Sequence, residues 1–147
     1  MTTMWTRRIP WVLLLGDLIA LALFVFIGQQ DHGLVDEVNP LWGVLQSGWV
    51  FFVVWAAAGL WLGAFSEQIA DPAGRVGGFL SRSLNTWLVA ALLGLLLRSA
   101  VLGRAVVPTV FIVATLGFGG LFVLGWRLLF VLGWTLARRR SAARQEL

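Results

Sequence analysis

Apolar residues occupy this chain in four long blocks, and polar residues collect between the blocks rather than alternating with them. About 20 apolar residues make a helix long enough to cross a hydrocarbon layer near 30 Å thick at 1.5 Å per residue. The blocks predict membrane spans over roughly 9–28, 44–65, 80–98 and 106–136. Pro10 falls at the start of the first, where a missing N–H costs nothing. The loop over 66–82 carries the breakers Pro72, Gly74, Gly77 and Gly78, and a shorter turn holds Gly103, Arg104 and Pro108. The last block exceeds one upright crossing, which predicts a helix that tilts or projects. The expected fold class is all-α: one membrane domain over 1–147, built as a bundle of four transmembrane helices.

The first block resembles a secretory signal at its start, with Arg7 and Arg8 ahead of it. A signal's apolar region spans only about 7–15 residues and ends in a small-residue cleavage site. Here it runs on through Leu23, Phe24, Val25 and Phe26, which predicts a retained anchor.

Composition agrees with the pattern. Of 147 residues, 59% are hydrophobic and 12% charged, and the mean hydropathy is +0.87; soluble domains hold about 45–50% apolar residues. The absence of cysteine excludes disulfides, thiolate metal sites and thiol chemistry, and leaves the redox compartment unreadable. All 11 basic residues are arginine. They cluster at predicted membrane edges, so the net charge of +4 points to lipid headgroups rather than nucleic acid. Arg138, Arg139 and Arg140 are the expected contacts for anionic lipid, and Arg144 follows them in the tail. The amino terminus, the second loop and the tail bear arginine, whereas the first loop is acidic, so the positive-inside rule places both termini in the cytoplasm and the protein in the cell's inner membrane. Arg98 and Arg104, at the opposite end, run against that rule.

Two charges interrupt the apolar blocks. Asp17 lies eight residues past Ile9 and Arg127 ten before Ala137, depths of about 12 Å and 15 Å from the same side at 1.5 Å per residue. Each costs roughly 2.5–3.5 kcal/mol on insertion scales unless it finds a partner. The two are expected to meet, with Asn85 and Thr86 of the third span close enough in depth to hydrogen-bond them. Such a pair serves either as a relay or ligand clamp, or as a fixed lock on helix register. Near the other end Arg98, with Gln46 and Ser47, is a candidate outer anion or headgroup site, against the ordinary behaviour of a terminal arginine that snorkels.

His32 with Asp31, Asp36 and Glu37 offers ligand types for a divalent metal, but one histidine without fixed spacing reads better as a solvated acidic loop, and no metal is expected. Trp5, Trp11, Trp61 and Trp134 fall near one predicted interface and Trp42 and Trp49 near the other, as aromatic belts do. Trp55, Trp87 and Trp126 lie deeper, where they pack in the core or contact lipid or a hydrophobic ligand. Small residues four apart, Gly59 and Gly63, Ala90 and Gly94, Thr115 and Gly119, permit close helix approach within or between subunits. Gly117, Gly119 and Gly120 make the last helix bendable. LFVLGW occurs at 121–126 and again at 129–134; a period of eight advances the helix by about 80°, so the two copies are not expected to share a face. No lysine serves a phosphate loop, no G-x-S-x-G elbow is present and no second histidine completes a zinc site.

The segments GDLIALALFVFIGQQDHG and LLLRSAVLGRAVVPTVFIVATLGFGGLFVLGWR resemble a small prokaryotic membrane family classed only as a domain of unknown function. The motifs that carry the resemblance fall at Asp17, at His32, at Arg98 and at the triplet Gly125, Trp126 and Arg127. It implies four membrane helices and no assigned activity. The expected function is non-enzymatic: an accessory or scaffolding subunit that packs against other membrane helices or against itself, in a setting such as an energy-transducing complex where deep tryptophans would meet quinone, pigment or lipid. The alternative is a small oligomeric transporter or channel whose pathway uses Asp17 and Arg127. Nothing in the sequence specifies a cofactor.

Overall fold

The computed structural model describes residues 9–35, 38–65 and 74–143. Four helices, each long and apolar enough to cross a membrane, account for nearly all of them, and no strand occurs among the described residues. Helix α1 is Ile9–Asp31, α2 Pro40–Trp61 and α3 Val76–Val101. The fourth is composite: α4 (Thr109–Ala114), a π-helical turn at Thr115–Gly119, and α5 (Gly120–Ala143). The chain runs up, down, up and down; each helix packs on its neighbours in sequence, and α5 closes the ring against α1. Three facing residues fill the centre at the level of Asp17, namely Leu13, Trp55 and Val123, while Leu15, Ile19, Leu23, Leu96 and Leu129 point outward. A helix apolar on every face is stable where its outer side meets lipid rather than water.

The helix ends differ from the expected spans for local reasons. Asn39 caps α2, its side-chain oxygen accepting from the Trp42 N–H at 3.1 Å with Pro40 in the first turn, so the helix starts four residues before 44. At its other end the helix stops at Trp61, short of 65. Gly63 takes φ +71, and the Ala64 N–H returns to the Gly59 carbonyl at 2.8 Å, closing the last turn. This bend carries Ala64 and Phe65 back into the core, where both are buried. Pro108 delays the fourth helix to Thr109 rather than 106. From there 34 residues run unbroken to Ala142, about 50 Å at 1.5 Å per residue, well beyond a hydrocarbon layer near 30 Å.

Candidate functional site

Asp17 and Arg127 meet inside the bundle. Both side chains are withdrawn from the surface, at 0% and 1% exposure. Arg127 Nε donates to Asp17 Oδ1 at 3.1 Å and Nη2 to Oδ2 at 2.7 Å, a two-pronged pair whose fork geometry only a guanidinium supplies. Nη1 donates twice more, to Ser83 Oγ at 2.9 Å and to the Ala64 carbonyl at 3.2 Å. Four bonds are thus made by a group with five N–H donors. Ser83 Oγ in turn donates to the Phe79 carbonyl one turn earlier in α3, at 2.7 Å.

Aromatic rings close the remaining sides. The guanidinium carbon lies 5.4 Å from the Trp55 ring, 5.3 Å from Phe65 and 5.5 Å from Phe79, within cation–π range of all three. Trp55 has two roles, because its Nε1 also donates to Asp17 Oδ2 at 3.2 Å. Four segments therefore converge on the Arg127 guanidinium of α5: α1 gives the carboxylate, α2 the indole, the bend after α2 a carbonyl and a ring, and α3 a hydroxyl and a ring. Taking two ions out of water is costly, and only such dense compensation makes their burial tolerable.

Of the residues expected beside the pair, Asn85 lies on an exposed face of α3, two positions from Ser83, which occupies the place foreseen for it. Thr86 is buried, yet its hydroxyl bonds to nothing. Sequence reasoning also missed Ala64 and Phe65, which a straight second helix would send past the site. The signal was Gly63, two residues past the last helical residue, Trp61.

The three deep tryptophans separate. Trp55 and Trp87 are sealed in the core with rings 5.9 Å apart, without access to lipid or any ligand outside the bundle. Trp87 Nε1 donates at 3.0 Å to the carbonyl of Leu116, within the π-helical turn. The ring rests on Gly119 and Gly120, where an added Cβ would come within 2.5 Å and 2.7 Å of it. Trp126 instead lies at the side of the bundle, against Gly16 of α1. With Phe130 and Trp134 it lines an open groove of about 950 Å³ that Arg138 borders. The expectation that the two LFVLGW copies do not share a face fails here: residues at steps of four drift only about 40° each, and broad rings at 126, 130 and 134 line one groove, successive rings 6.2 Å from centre to centre. Arg139 and Arg140 are exposed beyond it on the last turns of α5.

At the end opposite the termini a smaller polar knot joins α1, α2 and α3. Gln29 Nε2 donates to the Gly43 carbonyl at 3.0 Å and to Ser47 Oγ at 2.9 Å, and Arg98 Nη1 donates to the Ser47 carbonyl. Gln46, expected beside Arg98, is exposed and takes no part. Among the described residues no cluster of metal-ligating side chains forms; Asp36 and Glu37 of the acidic loop, like Arg7, Arg8, Trp5 and Arg144, lie outside them.

The family model for "Protein of unknown function (DUF3054)" matches residues 14–130. The chain belongs to this family. The DUF3054 match takes in the whole ion-pair centre, from Asp17 through the Ala64 bend to Arg127, and the Arg98 knot, and it stops at Phe130, before Trp134 and the terminal arginines. Comparison with curated proteins and with solved structures gives no match.

Proposed function

We propose that this chain is a non-enzymatic membrane protein, an accessory or scaffolding subunit that presents rigid apolar helix faces to lipid and to other membrane helices. The observation that supports this reading is the closure of the Asp17–Arg127 centre. A relay or transport site needs an opening on at least one side and a group free to change partners. Here both charges are withdrawn from the surface, and the guanidinium is held by fixed acceptors on three other segments. Such a centre works as a clamp, fixing the register of α1 and α5 and leaving the outer faces for docking. The open Trp126–Trp134 groove on those faces suits an apolar chain, of a lipid or of a hydrophobic cofactor. The arginines at 138–140 support, by the positive-inside rule, a reading with the carboxyl end in the cytoplasm and the amino terminus on the same side.

A second reading, a small oligomeric transporter, draws on the π-helical turn at Thr115–Gly119. Such turns occur disproportionately at functional sites, and the buried hydroxyls of Thr115 and Thr86 lack partners. One experiment separates the two. Purification in mild detergent followed by mass spectrometry of every co-purifying chain should return stable foreign membrane partners in fixed ratio. A homo-oligomer alone, with ion flux in proteoliposomes that Asp17→Asn abolishes, would replace the subunit reading by the transporter.

A further inference from the structure

At the end of the bundle opposite the termini, the last turn of α3 and the turn that follows it form a cleft of about 270 Å³ lined by two arginines, Arg98 and Arg104, among apolar walls from Leu95, Val106, Pro108 and Phe111. Arg98 is half-buried, and it does not snorkel away from the protein. One N–H is spent on the Ser47 carbonyl of α2, and its guanidinium carbon lies 5.6 Å from the Phe111 ring of α4, so the group is pinned between two helices with further donors left over. Arg104 is held from below. Gly103 adopts φ +61, the Arg104 N–H returns to the Ser99 carbonyl at 3.0 Å, and Ser99 Oγ donates to the Arg104 carbonyl.

Two cations on one small cleft, Arg98 pinned by its side chain and Arg104 set by its backbone, repel each other, and no carboxylate among the described residues relieves them. Asp17 is committed to Arg127, and Asp31 forms no ion pair. Arginine pairs are matched in geometry and charge by phosphate oxygens. We propose that Arg98 and Arg104 form a binding site for a phosphate group, with Leu95, Val106, Pro108 and Phe111 taking the apolar part of the molecule that bears it. The volume admits a headgroup and not a whole lipid. Arg104, rather than Gln46, is the partner of Arg98. The phosphate comes either from an anionic phospholipid of the surrounding leaflet or from a free phosphate or phosphate ester at the surface.

The test uses the full chain in detergent carrying R138Q, R139Q, R140Q and R144Q, so that the tail arginines do not contribute, and follows thermal unfolding by tryptophan fluorescence. Inorganic phosphate, dihexanoyl phosphatidylglycerol and dihexanoyl phosphatidylcholine are titrated in turn. A saturable rise in Tm is expected with phosphatidylglycerol, and R104Q should weaken the apparent Kd at least ten-fold, each variant's rise being read against its own ligand-free Tm; R98Q should abolish the rise. If inorganic phosphate reproduces the rise at similar concentration, the ligand is the free anion; if only the glycerol lipid does, it is the leaflet, and both results keep the site. The proposal is overturned if no phosphate-bearing probe raises Tm, if R104Q titrates like its parent, or if phosphatidylcholine acts equally on parent and variants.

Discussion

The indole N–H of Trp55 donates to Asp17 at 3.2 Å while the face of the same ring lies 5.4 Å from the Arg127 guanidinium. One side chain thus touches both members of the buried pair, one through its edge and the other through its π-cloud. Trp55→Phe keeps a ring and removes the donor. A buried acceptor that loses a partner costs about 1–3 kcal/mol. The variant is expected to fold with that loss of stability, read by unfolding in detergent against denaturant, and a loss below the resolution of the measurement would show that the indole bond contributes nothing.

The ion pair itself is tested by a cycle. Removing one partner of a buried pair leaves an uncompensated charge and costs about 3–5 kcal/mol, so Asp17→Asn and Arg127→Gln should each sharply lower folded yield. The double variant buries two neutral amides and should recover part of the loss. A coupling energy of at least about 1 kcal/mol is expected from residues in direct contact; strict additivity would mean that the two side chains act independently. Arg127→Lys should resemble Arg127→Gln rather than the parent, because an ammonium cannot span Asp17, Ser83 and Ala64 together.

The Trp126 ring occupies the space beside Gly16 so closely that an added Cβ would lie 2.0 Å from it. Gly16→Ala must push the indole into the groove or separate α1 from α5. The expected cost is about 1–3 kcal/mol, typical of overpacking, and Trp126→Ala in the same chain should remove most of that increment. A Gly16→Ala protein as stable as the parent would show that Trp126 leaves its seat freely.

The four spans and the meeting of Asp17 with Arg127 were legible because both follow from one-dimensional quantities, run length and depth at a fixed rise per residue. What surrounds the pair was not. Depth alone favoured Asn85, but helix rotation decides which residue faces inward, and two positions along α3 turn a side chain by about 200°; Ser83 faces in and Asn85 out. The Ala64 carbonyl and the Phe65 ring reach Arg127 only because Gly63 reverses the chain, and within the apolar run that glycine alone marks where the last residues leave the helix. Gln29 reads as loop yet ties α1 to α2. Arg98 was visible as a charge, whereas its pairing with Arg104 across a cleft depends on a glycine-terminated helix end that folds the next residues back.

The π-helical turn at Thr115–Gly119 depends on Trp87 in a way that can be measured. Its backbone departs from regular α bonding, and the Leu116 carbonyl within it receives the Trp87 indole N–H at 3.0 Å, while the same ring covers Gly119 and Gly120. Trp87→Phe takes away the donor and part of the covering surface together. The segment should then open more often than the rest of the helix, since a carbonyl with poorer internal bonding has lost its outside partner, and the stability lost is expected to be about 1–3 kcal/mol. Amide hydrogen exchange in detergent reads this locally. Faster exchange confined to 115–121 is the expected outcome, and a uniform change along all four helices would show that Trp87 is only general core packing and that the turn is held by its own backbone.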